Sequence, residues 1–454
     1  MTFTATNPAT EEIVSEYPVL DSAGIENALE QAHGAFLKWR SASVAERAAS
    51  MTRAAEILES EVPVVAELMT REMGKTFAAA KGEVMKCAAT MRYFAEHGES
   101  MLLSESLPTK GSRSGLRYEP IGAIFAVMPW NFPLWQVVRM AVPTIIAGNV
   151  VVFKHAPNVP GSALYLEDLF IRAGFAPGIL TTVFVDVEQV PAIIADPRIV
   201  AVTLTGSERA GRSIAAEAGK NLKKCVLELG GSDPFVIASS ADMEHTVAMA
   251  VAARIQNNGQ ACIAAKRFIV VRERADEFVE KYAAAMGAVQ LGDPMDPATE
   301  LGPLVSKTQR DLLDAQVSSS IERGATVLVG GVVPERTGFY YPATVLTNVP
   351  EDSRASCEEL FGPVSVVREA RDLADAIRIG NDTPWGLGAS IWAQDDREID
   401  EAIAGLDVGT VFANAMVASM NELPFGGTKN SGFGRELSAL GAREFTNVKS
   451  YFVA

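Results

Sequence analysis

The chain has 454 residues, 48% of them hydrophobic and 21% charged, which allows roughly two to four domains with substantial cores. That balance excludes disorder, collagen and coiled coil as its main description. A formal charge of −16 disfavours nucleic-acid phosphates and anionic membranes as partners.

The N-terminal run MTFTATNPATEEIV carries neither the basic nor the apolar segment of a secretory signal. The most apolar stretch, 121–153, is broken by Pro129, Asn131, Pro133, Arg139, Pro143 and Asn149. It falls short of the ~18 uninterrupted apolar residues of a membrane span. A soluble, cytoplasmic protein is expected. The cysteines (Cys87, Cys225, Cys262, Cys357) form no C-x-x-C, and the histidines (His33, His97, His155, His245) are scattered, so no metal site is expected.

Residues 21–102 read as helical. Asp21 can cap a segment through Ala35, 44–59 and 62–73 continue the pattern up to a stop at Gly74, and 81–97 forms a further amphipathic helix. From about 113 the texture changes. Residues 113–119 alternate like an exposed strand. Strands are then expected at 121–128, 150–154, 180–185, 199–205 and 223–229, with helices at 134–147, 162–173 and 209–218. A second series follows, with helices at 242–258, 275–288, 307–324 and 373–380 and strands at 267–271, 364–368, 389–392 and 411–414. The tail, 444–453, alternates like an edge strand. Near-continuous apolar strands alternating with helices imply parallel sheets covered on both faces, hence two α/β domains. A flap made from 113–119 and the tail would need a partner subunit over its edge.

Several residues could carry chemistry. Cys262 closes the polar loop QNNGQAC (256–262), where flanking donors could activate a thiol; a buried inert cysteine is the plainer alternative. Glu228 sits in an apolar strand before Gly230-Gly231, either for proton transfer or in a structural ion pair. Asn131, fixed between Pro129 and Pro133, offers an amide to an oxyanion, or is a turn residue. Lys154 ends a strand where a phosphate or ribose could lie, or is a solvated lysine. Gly206-Ser207-x-x-x-Gly211 opens a helix after a strand, a context that suits a phosphate.

Taken together, PWNFP (129–133), VVFKHAP (151–157), LTGSERAG (204–211), LELGGSDPF (227–235), NNGQACIA (257–264), EELFGPV (358–364) and LPFGGTKNSGFGRE (423–436) resemble the aldehyde dehydrogenase superfamily. WNFPLWQVVR (130–139), QNNGQACIAAKRF (256–268) and GRELSALGAREF (434–445) are similar to its short bacterial succinate-semialdehyde dehydrogenases. The resemblance implies two Rossmann-like domains and a β oligomerisation flap. Residues 1–112 and 120–230 would bind the dinucleotide, 231–430 would carry the nucleophile, and 113–119 with 431–454 would form flap and tail of a homodimer or homotetramer. It also implies Cys262 as nucleophile, Glu228 as general base and Asn131 as oxyanion donor with the Cys262 backbone N–H.

Cofactor contacts implied in the same way are Trp130, Lys154, Pro157, Gly206, Ser207, Gly211, Leu229, Glu359 and Phe361, with no metal. Arg139 and Ser419 match residues that bind a substrate carboxylate, and helix spacing puts Trp135 on the face of Arg139, where both could line one tunnel. A guanidinium suits that role, though a structural ion pair is the alternative for Arg139. The neighbours Met420, Asn421 and Glu422 are less typical of the group, and Ala264 removes the Cys-x-Cys pair of some relatives. Pro157 replaces a glutamate that would repel a 2′-phosphate, which favours NADP over NAD, with Lys154 and His155 as polar neighbours. The expected reaction is oxidation of succinate semialdehyde; glutarate semialdehyde or an aliphatic aldehyde is the alternative. Glu228 argues against acyl transfer to coenzyme A, and its presence with Cys262 argues against a non-catalytic scaffold.

Overall fold

The computed structural model describes residues 2–454. An antiparallel hairpin, Thr2–Thr6 with Ile13–Pro18, opens the chain. Four helices follow: α1 (Ser22–Trp39), α2 (Val44–Ser60), α3 (Val62–Met73) and α4 (Phe77–Met101). Their ends are written in local chemistry. The Asp21 carboxylate accepts from Gly24 N, Ser43 and Glu46 form a capping box, and Gly74 leaves α3 at φ 81°, a left-handed conformation that glycine adopts freely. Thr76 then caps α4, which is longer than the 81–97 expected.

The first sheet holds β1 (Ala123–Val127), β2 (Val150–Lys154), β3 (Leu180–Thr182), β4 (Ile199–Thr205) and β5 (Lys224–Glu228). All run parallel in the order β5-β4-β1-β2-β3, and Gly432–Phe433 adds antiparallel outside β5. From β1 the chain winds outward through β2 and β3, then crosses back to β4 and β5. The crevice at the carboxyl ends of β1 and β4 is therefore a topological switch point, where open α/β sheets bind ligands. Helices α5 (Trp135–Ile146), α6 (Pro160–Arg172) and α7 (Glu208–Lys220) connect these strands.

The second sheet contains β6 (Pro234–Ile237), β7 (Arg267–Val271), β8 (Thr326–Val329), β9 (Thr344–Thr347), β10 (Val364–Ala370), β11 (Gly388–Trp392) and β12 (Thr410–Ala413). Its order is β8-β9-β10-β7-β6-β11-β12, parallel except for β8. Helix α8 (Met243–Ile255) leads from β6 into the loop before β7.

The α/β class with two parallel sheets agrees with the sequence pattern, and three details differ. The helix expected over 242–258 stops at Ile255, because Asn257 and Asn258 take left-handed φ values of 53° and 58°. Their amides bond to backbone carbonyls instead of continuing the helix. The flap has a third strand, Glu105–Ser106, beside Arg113–Pro120 and Thr446–Val453. The tail expected over 431–454 divides: Gly432–Phe433 joins β5, Ser438–Glu444 is a helix, and only Thr446–Val453 enters the flap.

Candidate active site

A cleft of about 300 Å³ opens at the carboxyl ends of β1, β4 and β5, and Asn131, Glu228, Cys262, Ser207, Glu359 and Phe361 all line it. A larger depression, about 1040 Å³, lies on the second sheet among Arg267, Cys357, Arg368 and Asp375 and holds none of these groups.

The nucleophile candidate sits in the loop between α8 and β7. Asn257 Nδ2 donates to the Asn131 carbonyl at 2.7 Å and to the Gln260 carbonyl at 3.0 Å, tying this loop to the β1–α5 connection. Lys266 Nζ donates to the carbonyls of Ala261 (3.0 Å), Cys262 (2.6 Å) and Ala264 (3.1 Å), and lies 3.3 Å from the Glu359 carboxylate. One buried ammonium therefore clamps the backbone around Cys262. Burial pushes the Cys262 thiol up to about 12, against the lowering pull of Arg139 and Lys266. Asn131 Nδ2 donates to the Gln260 carbonyl at 3.0 Å, and its Oδ1 accepts from Gln136 Nε2 at 3.4 Å. The amide is thus oriented, with one N–H engaged and the other left for a ligand.

Glu228 ends β5, and neither carboxylate oxygen has a hydrogen-bond partner among the described residues. A buried group of this kind holds a proton or faces a bound ligand. Burial raises it well above the usual carboxylate range; Arg139 and Arg435 oppose that and Glu436 adds to it. The glycine at 426 leaves room for it, since a Cβ there would come within 2.9 Å of Glu228 Oε1.

Arg139, expected at a substrate carboxylate with a structural ion pair as the alternative, stands in an ion pair. Its guanidinium is buried in an ion pair with Glu436, lies 4.6 Å over the Phe425 ring and reaches Thr205 Oγ1 at 3.4 Å. A buried guanidinium requires such a partner, and Glu436 arrives on the segment that follows the strand paired with β5. His155, expected as a polar neighbour of the cofactor, is engaged by backbone groups. It is buried, its Nε2 lies 2.8 Å from the Pro133 carbonyl and its Nδ1 accepts from Ala156 N, and burial pushes it down to about 4. It is neutral and engaged.

On the cofactor side, Trp130, Gly206, Ser207, Leu229, Glu359 and Phe361 line the cleft. Trp130 and Phe361 meet edge to face at 5.6 Å. Ser207 caps α7 by accepting from Ala210 N at 3.3 Å. Glu359 accepts from Gly231 N at 3.2 Å, and a Cβ on Gly230 would strike that carboxylate at 2.4 Å. Gly211 is not part of the cleft lining and lets α7 sit on Leu229, where a Cβ would be 2.7 Å from that side chain. Lys154 and Pro157 stand at the end of β2, outside the cleft lining. The donor set fits a dinucleotide, with a helix N-terminus for phosphates, an aromatic pair for a flat ring and a carboxylate for ribose hydroxyls.

Trp135 and Ser419 come together through a residue the sequence did not single out. Lys86, on α4, donates from Nζ to Ser419 Oγ at 2.8 Å and lies 4.1 Å over the Trp135 ring. Lys266 and Glu436 also escape a reading of the sequence as site residues, although both fall inside the family-like segments 256–268 and 423–436. Lys86 has no such signal, being one lysine on an amphipathic helix.

The chain matches the model of the aldehyde dehydrogenase family over residues 1–451. It is 47% identical over 453 residues to a succinate-semialdehyde dehydrogenase [NADP(+)] 1 of Mycobacterium tuberculosis, covering 99% of each chain. A succinate-semialdehyde dehydrogenase [NADP(+)] of Mycobacterium leprae is 46% identical over 457 residues, with both chains fully covered. Among solved structures, succinic semialdehyde dehydrogenase from Streptococcus pyogenes, in complex with NADP+, superposes with a TM-score of 0.97 at 38% identity and 99% coverage of both chains.

Proposed function

The chain belongs to the aldehyde dehydrogenase family, and we propose that it oxidises succinate semialdehyde to succinate with NADP as hydride acceptor. The observation that carries this reading is the cleft shared by Cys262, Glu228 and Asn131. Full-length relatives bearing that name and cofactor support it. Cys262 Sγ gives its proton to solvent water and attacks the aldehyde carbon, forming a C–S bond as the carbonyl π bond opens to an oxyanion. The developing oxyanion takes the free N–H of Asn131 and the Cys262 backbone N–H, one such donor being worth about 2.7–4 kcal/mol. NADP, when bound by Ser207, Glu359 and the Trp130–Phe361 pair, would supply the acceptor for the hydride that the substrate carbon gives up as its C–H bond breaks and the Cys262 adduct becomes a thioester. Glu228 then takes a proton from water as it adds to the Cys262 thioester, the C–S bond breaks, and the acid leaves.

NADP is chosen because Pro157 presents no carboxylate to repel a 2′-phosphate. We assign cofactor binding to residues 1–112 and 120–230 and the nucleophile to 231–430. We also read the enzyme as a cytoplasmic homo-oligomer, supported by its four free cysteines and its exposed flap edge.

Initial rates with succinate semialdehyde, glutarate semialdehyde and hexanal, each with NADP and with NAD, test the proposal. The expected outcome is a kcat/KM at least about tenfold higher for succinate semialdehyde, about 1.4 kcal/mol of discrimination, with NADP the better cofactor. Equal rates on hexanal would remove the substrate assignment.

A further inference from the structure

Helix α5 begins four residues after Asn131 and is buried along its whole length. A buried helix N-terminus needs acceptors for its first N–H groups. Leu134, at the N-cap position, has no polar side chain to offer. The acceptor comes from α4 instead. Glu83, 51 positions before Leu134, takes the N–H of Leu134 and of Trp135 on one carboxylate oxygen, both at 2.9 Å. Its other oxygen pairs with Lys75, and both side chains are buried.

Lys75 completes the grip. Its Nζ lies 4.3 Å from the ring centre of Phe132, the neighbour of Asn131. Gln136, in the first turn of α5, donates from Nε2 to Asn131 Oδ1 at 3.4 Å. The turn that carries Lys75 also reaches the nucleophile loop, where Asn258 Nδ2 donates to the Gly74 carbonyl at 2.8 Å. One short segment thus braces the elements that carry both oxyanion donors, the Asn131 amide and the Cys262 N–H. A buried ion pair adds little to stability over an apolar pair of the same volume. What this pair supplies is direction: a fixed acceptor for two N–H groups at the start of the helix behind Asn131.

We propose that Glu83, with its charge balanced by Lys75, is a positioning residue of the oxyanion site, fixing the first turn of α5 and through it the Asn131 amide. This assignment rests on the proposed role of Asn131 in the oxidation.

The test compares two double variants, both without the Lys75 charge. Lys75→Met with Glu83→Gln keeps an acceptor oxygen for α5. Lys75→Met with Glu83→Leu removes it and fills the same space. Both are assayed at saturating NADP with succinate semialdehyde and with butanal, an uncharged aldehyde. The expected result is a kcat at least about tenfold lower in the leucine variant on both aldehydes, with KM within about threefold, and a kcat within about threefold of wild type in the glutamine variant. In an Asn131→Ala background the leucine variant should cost no more than about twofold further, because the donor it positions is already gone. Should the leucine variant fail to fold, Lys75→Met with Glu83→Asp draws the acceptor back from α5 and is expected to show the same kcat loss. Equal kcat in the glutamine and leucine variants, or the full loss repeated in the Asn131→Ala background, overturns the Glu83 assignment alone. A wild-type kcat in Asn131→Ala overturns the reading of Asn131 and this assignment with it.

Discussion

Cys262 sits at the centre of a contest between burial and charge. Arg139 and Lys266 favour the thiolate, yet burial dominates and holds the thiol near 12. Below that value the thiolate is the minor form, and its fraction grows tenfold with each pH unit. Alkylation follows the thiolate, so the sign is fixed: reactivity rises with pH and does not level off near neutrality. Iodoacetamide labelling of Cys262 in the enzyme without cofactor, read from the mass of its peptide, should climb steadily from pH 7 to pH 10. A plateau near pH 8 would mean that the neighbouring cations outweigh burial. Glu228 is governed by the same effect in the same direction, since burial also raises its carboxyl well above the usual carboxylate range. A carboxylate held high is a poor resting anion but a strong proton acceptor once ionised, as suits a base that must activate water.

The loop from Gln256 to Ala264 places Cys262, and Lys266 holds that loop through three carbonyls. Replacing Lys266 by Met keeps the aliphatic stem and removes the donors. Buried acceptors left without a partner cost about 1–3 kcal/mol each. Lys266→Met should therefore melt at a lower temperature in calorimetry, and its kcat should fall as the nucleophile loses its fixed position. An unchanged kcat would show that Asn257 and the neighbouring strands hold the loop alone. The sequence exposed some of these elements and hid others for physical reasons. Strands β2, β4 and β7 were legible to the residue, because long apolar runs end in polar or glycine-rich segments. Strand β6 was not: four apolar residues carry too little periodicity to separate strand from loop. The catalytic candidates were legible through motif order, whereas the Arg139–Glu436 pair spans 297 positions and only folding brings it together.

At the scale of the whole molecule, the flap leaves an unfinished edge. Thr446–Val453 pairs with Arg113–Pro120 on one side and, among the described residues, with no strand on the other. Val448 and Phe452 project from one face of that strand and are 53% and 61% exposed. Unpaired backbone beside exposed apolar side chains is normally covered, and a second copy of the chain is the simplest symmetric cover. The net charge of −16 opposes bringing two copies together, so the contact must gain its energy from apolar burial and strand pairing. Light scattering on the wild type should give a multiple of the chain mass. Val448→Asp with Phe452→Asp adds charge where apolar contact is needed, but leaves the register with Arg113–Pro120 intact. The double variant should shift to the mass of a single chain, with far-UV circular dichroism unchanged. A wild type of single-chain mass would instead mean that the flap edge is tolerated uncovered, and the homo-oligomer assignment would fall.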